Sequence, residues 1–252
     1  LPAALVSRPP WGTTLRTFVA LALAASAASA QSKPAAPEYA RVFDDTRVHS
    51  VHLILDAAEY DKIGRKPFDW VPGDVEIDGE RVQGVGLREK GNSSSGIRSD
   101  KKPFKIDFGE FTKDQTFHGL RMLVLNNGFK DPSLIREKLA YDLHRAAGLP
   151  ASRAAHAMVF VTAKGRFNKK YFGLYTLVEH VDETFLDERF GGHDGNLYKI
   201  EGFQDLFARA DEAAIAEERN VELKTNTKEN DRSRLVGFVR AVADGKSDLG
   251  KW

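Results

Sequence analysis

The chain has 252 residues, 42% of them hydrophobic, with 37 Lys plus Arg against 36 Asp plus Glu and a net charge of +1. That hydrophobic share is enough for a sizeable core and excludes global disorder, and the near-neutral balance excludes a nucleic-acid partner recruited by bulk charge. With no cysteine there is no disulfide framework, thiolate zinc site, iron–sulfur cluster or Cys nucleophile.

Arg8 and Arg16 precede a short apolar stretch, Phe18 to Ala28, and Ala28-Ser29-Ala30 fits an A-x-A cleavage site. Residues 1–30 therefore read as an export signal, with Gln31 as the new first residue. The apolar run is shorter than the roughly 20 residues a membrane-crossing helix needs. A protein exported to the periplasm, cell surface or medium is expected, with no transmembrane helix after cleavage. Residues 31–42 begin with Gln-Ser-Lys-Pro-Ala-Ala-Pro and read as a linker, with order starting near Phe43.

Val48 to Leu55 reads as a strand, and Asp56 to Lys62 as a short helix with Asp56 at its N-cap. Asp74 to Ile77 and Glu80 to Arg88 read as strands joined at Asp78-Gly79, a strong hairpin signal. A Gly/Ser loop, Gly91-Asn92-Ser93-Ser94-Ser95-Gly96, follows. Pro103 to Phe108 alternates Phe104, Ile106 and Phe108 with Lys105 and Asp107, the pattern of a half-buried strand. Leu120 to Leu125 is a further strand.

The best helix has Asp131 at its N-cap, Pro132 at its first position and Gly148 at its end. Its buried stripe is expected to be Ile135, Leu139, Leu143 and Ala146. Ala157 to Thr162 and Tyr171 to Val178 read as a strand pair. Apolar residues on both faces of the second mark it as central: Phe172, Leu174 and Val178 against Tyr171, Tyr175 and Leu177. A helix over Asp182 to Phe190 stops at Gly191-Gly192, and Asn196 to Ile200 is a short strand. Helical turns are expected over Ala208 to Arg219 and Ser233 to Val242. The fold class is α+β, an antiparallel sheet with segregated helices.

The strongest chemical constellation is Arg88-Glu89-Lys90-Gly91-Asn92-Ser93-Ser94-Ser95-Gly96 followed by Lys101-Lys102-Pro103-Phe104-Lys105. Glycines let backbone N–H groups turn toward an anion, serines add hydroxyl donors, and flanking cations neutralise phosphate. The layout matches neither the Walker A pattern nor G-x-G-x-x-G, and a solvated hairpin loop with surface lysines has the same composition. Arg136 and Glu137 lie off the helix's apolar stripe. Glu137 either pairs with Lys102 or Lys105 or complements the helix dipole. Glu179 and Asp182 end the central strand, with Asp182 equally readable as an N-cap, and Lys199 is another cation at a strand end. His49 and His52, three apart on a strand, should face opposite ways. With no H-E-x-x-H and no G-x-S-x-G, neither a histidine metal site nor a serine-hydrolase elbow is expected.

These stretches resemble the CotH kinase family, named for a spore coat protein. The matching pieces are Arg88 to Ser94 with Lys102-Pro103-Phe104-Lys105-Ile106, Asp131 to Leu143, Ala147 to Pro150, Gly173 to Asp182 and Gly195 to Lys199, in the family's order from about Val48 to Lys199. The resemblance implies an atypical protein kinase that transfers the ATP γ-phosphate to Ser or Thr of a protein substrate, with Mg²⁺ or Mn²⁺. It implies a small lobe over residues 43–178 and the start of a helical large lobe over 179–252. Arg88, Ser93, Ser94, Lys102 and Lys105 would meet the phosphates, with Lys105 slightly favoured over Lys102. Glu137 would be their helix partner, and the segment ending at Glu179 the hinge beside the adenine. The family's catalytic and metal-binding aspartates come late and match nothing here. Asp231, Asp244 and Asp248 sit in polar surroundings, so the chain is expected to be a fragment, inactive alone, with those groups beyond Trp252. The contrasting expectation is a non-catalytic coat, surface or adhesion protein on the same fold.

Overall fold

The computed structural model describes residues 37–91, 101–200 and 221–243. The chain divides into two units, Leu1–Glu38 and Tyr39–Trp252. Only Pro37 and Glu38 of the first are described, and the account below concerns the second. The expected export signal, the Gly/Ser loop from Asn92 onward and the expected helix over Ala208 to Arg219 lie outside the described residues.

Regular structure is already present before the expected start near Phe43. A 3-10 turn spans Glu38–Phe43 and buries Tyr39, Val42 and Phe43, so the linker reading of residues 31–42 fails from residue 38 onward. The apolar spacing of three and four residues is what a single helical turn needs to bury one side.

Seven strands follow: β1 (Val48–Asp56), β2 (Val71–Ile77), β3 (Glu80–Glu89), β4 (Phe104–Asp107), β5 (Met122–Asn126), β6 (Ala154–Lys164) and β7 (Phe167–Glu179). They pair in the order β1-β2-β3-β4-β5-β7-β6 and close into a barrel. Every pairing is antiparallel except the closing one, where β1 runs parallel to β6. The fold is thus mixed α/β with a large, mostly antiparallel sheet. The expected antiparallel sheet is corrected by the parallel closure, which removes both sheet edges.

The β2–β3 hairpin turns at Asp78 (φ 50°) and Gly79 (φ 89°), both left-handed as a two-residue type I′ turn requires. Asp78 tolerates this because its carboxylate accepts from Ser50 N at 2.9 Å and Arg47 Nη2 at 3.0 Å, and bonds His49 Nδ1 at 2.7 Å. His52 bonds Thr162 Oγ1 at 2.8 Å. His49 and His52 are both buried, each satisfied by its own partner.

Alternate residues of each strand fill the barrel: Leu53, Ile77, Leu87, Ile106, Leu125 and Leu177 are all essentially inaccessible. Between Val159 and Phe160 the β6–β7 register shifts, leaving Phe172 as an extra residue on β7. The bulge sits beside Gly173, whose φ of +126° is one that L side chains rarely adopt. It resets the strand's phase, so Phe172 joins Tyr175 and Leu177 in the same core. The expected division of those residues between two faces is corrected accordingly. Val178 does face outward, packing with Val124, Ala154 and Tyr141.

Among the described residues four helices accompany the barrel: α1 (Ala57–Arg65), α2 (Arg136–Ala146), α3 (Glu183–Phe190) and α4 (Ser233–Ala243). Asp56 is the N-cap of α1 but makes no side-chain cap bond. Asp182 does cap α3, accepting from Phe185 N at 3.3 Å, and Gly191 ends it. Strands β8 (Tyr198–Ile200) and β9 (Val221–Leu223) pair antiparallel. Val221 packs with Val236 and Val239 of α4 in a second small core.

Helix α2 departs from expectation twice. It starts at Arg136, because Leu134 has a left-handed φ of 58° and breaks the helix before it. The N-cap is therefore Ile135 and not the expected Asp131, which braces the turn before the helix, accepting from Ser133 N at 3.1 Å and Arg136 N at 3.0 Å. The expected buried stripe also faces outward: Ile135 is 56% exposed, Leu139 50% and Leu143 61%. The opposite side is held by Tyr141 against the sheet and by Lys138, whose Nζ lies 2.7 Å from Asp45 Oδ2.

Candidate functional site

Strand alternation decides which cations meet. Leu87 and Glu89 point into the barrel, so Arg88 on the same strand points out. Register places Arg88 beside Lys105 and Lys105 beside Val124, which in turn pairs with Val178. The outer face of β3, β4, β5 and β7 therefore gathers Arg88, Lys105, Val124 and Val178. Lys90, one residue past β3, and His180, one past β7, extend it.

Lys105 has no carboxylate at ion-pair distance among the described residues. Its Nζ lies 3.0 Å from His180 Nε2. Burial, with Arg88, Lys224 and Lys90 nearby, lowers its pKa to about 8 against the pull of Asp107. Burial and the same four cations hold His180 at about 3, so its neutral ring accepts from the Lys105 ammonium. Arg88 lies over the Trp70 ring at 4.6 Å and donates from Nη1 to Phe68 O at 3.2 Å. Its Nε is buried with no partner among the described residues, and burial lowers its pKa.

Lys90 donates to Asn126 Oδ1 at 2.7 Å, and Asn126 Nδ2 donates to Glu137 on α2. Burial lowers the pKa of Lys90, with Glu137 opposing and Lys199 of β8 reinforcing the shift. The structure thus brings Glu137 to the cationic face through Asn126 and Lys90. This corrects the expected direct pairing with Lys102 or Lys105.

Lys102 is elsewhere. Its Nζ pairs with Glu89 Oε2 at 2.9 Å, with side-chain exposures of 16% and 1%, and its carbonyl accepts from Tyr175 OH at 2.9 Å. It neutralises a carboxylate buried at the barrel end. Glu179 is also on the barrel side, 3% exposed. It accepts from Arg153 N at 2.8 Å, Arg153 Nη1 at 3.0 Å and Arg189 Nη2 at 2.7 Å. Both its oxygens are occupied by protein donors. Asp182 caps α3, and burial raises its pKa. Ser93 and Ser94 lie outside the described residues.

Sequence reasoning singled out Arg88 and Lys105 but passed over Lys90, Asn126 and His180. Alternation alone puts Lys90 on Arg88's side, with Glu89 opposite, so that signal was available. The roles of Asn126 and His180 depend on cross-strand register and had none.

The arrangement is chemically an anion receptor: cations concentrated on one sheet face, with Arg88, Lys90 and Lys105 all depressed by burial and one buried donor without a partner among the described residues. Among the described residues no group of three or more His, Asp or Glu is placed to hold a metal ion.

A mixed α/β barrel with a helix glutamate drawn to a cationic sheet face defines the class. The family model described as CotH kinase protein matches residues 87–251, and the chain belongs to that family. The match begins at Leu87, later than the expected resemblance from Val48, and runs past Lys199. It contains all of the cationic face. The chain is also similar to inner spore coat protein H of Bacillus subtilis (strain 168), 29% identical over 166 residues, which cover 65% of this chain and 42% of that protein.

Proposed function

We propose that this chain carries the nucleotide-holding part of an exported atypical protein kinase, which transfers the ATP γ-phosphate to Ser or Thr of a protein substrate. The observation that carries the reading is the cationic outer face, where Lys105 and His180 sit among Arg88, Lys90 and Lys224 and no described carboxylate lies at ion-pair distance from Lys105. Arg88, Lys90 and Lys105 would hold the phosphates, and the sequence adds the hydroxyls of Ser93 and Ser94. Glu137 orients Lys90 through Asn126. Lys102 and Glu179 support from the barrel side. Residues 43–178 act as the small lobe, and residues 179–252 begin the large one. Transfer of a phosphoryl group is mainly positioning and charge stabilisation, and this face supplies both. ATP brings the transferable group, with Mg²⁺ or Mn²⁺ as its companion ion, and no described residue is assigned as catalytic base.

ATP with Mg²⁺ or Mn²⁺ is expected to raise the melting temperature of the parent, and not that of Lys90→Ala or Glu137→Ala, both retaining a cooperative transition. Equal shifts in all three proteins would show that the phosphates are held elsewhere.

A second reading, assembly into a coat or surface layer, is favoured by the outward apolar stripe of α2 and by the spore-coat name of the relative. It predicts self-association or partner binding that Leu139→Lys abolishes without changing the response to ATP.

A further inference from the structure

We infer that Glu179 is a positioning residue: its bonds to Arg153 and Arg189 lock the corner between β7 and α3 and so hold His180 against Lys105. The inference rests on the phosphate-binding reading of Lys105, although its test needs no nucleotide.

Glu179 is the last residue of β7, and Asp182 the N-cap of α3. Between them stand only His180 and Val181. Arg153, just before β6, grips Glu179 from its backbone and its guanidinium. Arg189, in the last turn of α3, grips the same carboxylate at 2.7 Å. The corner is therefore tied at its strand end to β6 and at its far end to the helix that follows. Glu188 closes the ring. It accepts from Arg153 and from Arg189 Nη1 at 2.7 Å, and from Tyr39 OH in the 3-10 turn. The hydrogen bond from Arg153 holds the Glu188 carboxyl at about 2, while burial pushes Glu179 up against the pull of both arginines.

A buried ionic ring of this kind adds little net stability over apolar residues of equal volume. What it does here is fix a direction. On the path by which the backbone leaves the strand after Glu179, the His180 Nε2 meets Lys105 Nζ at 3.0 Å. The groups that face Lys105 are Arg88 and Lys90 from β3, Asp107 from β4, Lys224 after β9, and His180 and Asp182 from the corner itself. The Glu179 carboxylate is on the barrel side, held by Arg153 and Arg189, whereas Lys105 lies on the outer face, so a change at Glu179 reaches Lys105 through the position of His180.

The test is the titration of Lys105, read by pH-dependent labelling with acetic anhydride and peptide mass spectrometry. The parent is expected to titrate near 8. In Glu179→Gln and in Arg189→Lys the midpoint is expected to rise by a unit or more toward the ordinary 10.5, as the corner loosens and water reaches the amine. Arg189→Lys keeps the charge and is the variant expected to fold if Glu179→Gln does not. A midpoint still near 8 in either folded variant overturns the positioning role, as does a parent midpoint near 10.5. A shifted midpoint in a protein that ignores ATP would uphold the positioning role and sink the nucleotide reading instead.

Discussion

Lys105→Met is expected to leave the protein at least as stable as the parent while removing its response to ATP, and Lys102→Met is expected to do the reverse. The amine of Lys105 is half-buried among like charges, and its low pKa near 8 records that the folded state disfavours its charged form. An apolar side chain of similar length beside Val124, its cross-strand neighbour, relieves that repulsion. Lys102 instead neutralises Glu89, which is 1% exposed. Removing one partner of a buried pair costs about 3–5 kcal/mol. Urea denaturation with and without ATP separates the two lysines. A destabilised Lys105→Met that still responds to ATP would exchange their roles.

The affinity for ATP is expected to fall about 10- to 30-fold between pH 7 and pH 9.5, at the lower end of the about 1.5–3 kcal/mol that one charge-assisted hydrogen bond is worth. The sign follows from Lys105. In the free protein it is cationic below about 8 and neutral above, and only the cation attracts phosphate. Bound phosphate holds the proton longer, so the fall extends above 8. His180, at about 3, is neutral throughout and adds nothing to this limb. Without ATP the trend reverses. Between about 8 and the ordinary 10.5 the unfolded chain keeps a proton that the folded protein has lost, so this group's contribution to stability rises with pH. Melting temperatures followed over pH with and without ATP should therefore converge. A stabilisation by ATP undiminished at pH 9.5 would exclude Lys105 from the phosphate site.

Features carried by neighbouring residues were readable from the chain. Asp78-Gly79 announces its hairpin because few residue pairs accept two left-handed conformations in a row. Asp182 and Gly191 bound α3 because each supplies what a helix end lacks. Features set by distant contacts were not. The parallel pairing of β1 with β6 joins segments separated by most of the barrel and has no local mark. The stripe on α2 was correctly seen as apolar, but periodicity gives a stripe and not the direction it faces. That direction is set by Tyr141, Glu137 and Lys138 on the other side. At the site, alternation was the ground for slightly favouring Lys105 over Lys102. The structure pairs Lys102 with Glu89 and places Lys105 on the outer face. It likewise shows Asn126 between Lys90 and Glu137, where a direct ion pair was expected.

The measurement that bears most directly on the cationic face is calorimetric titration at pH 7 with ATP, ADP and adenosine. If Arg88, Lys90 and Lys105 grip phosphates, affinity should fall steeply in that order, with adenosine binding barely detectable. Adenosine bound as tightly as ATP would contradict the account, since a face built of cations has nothing to offer an uncharged nucleoside.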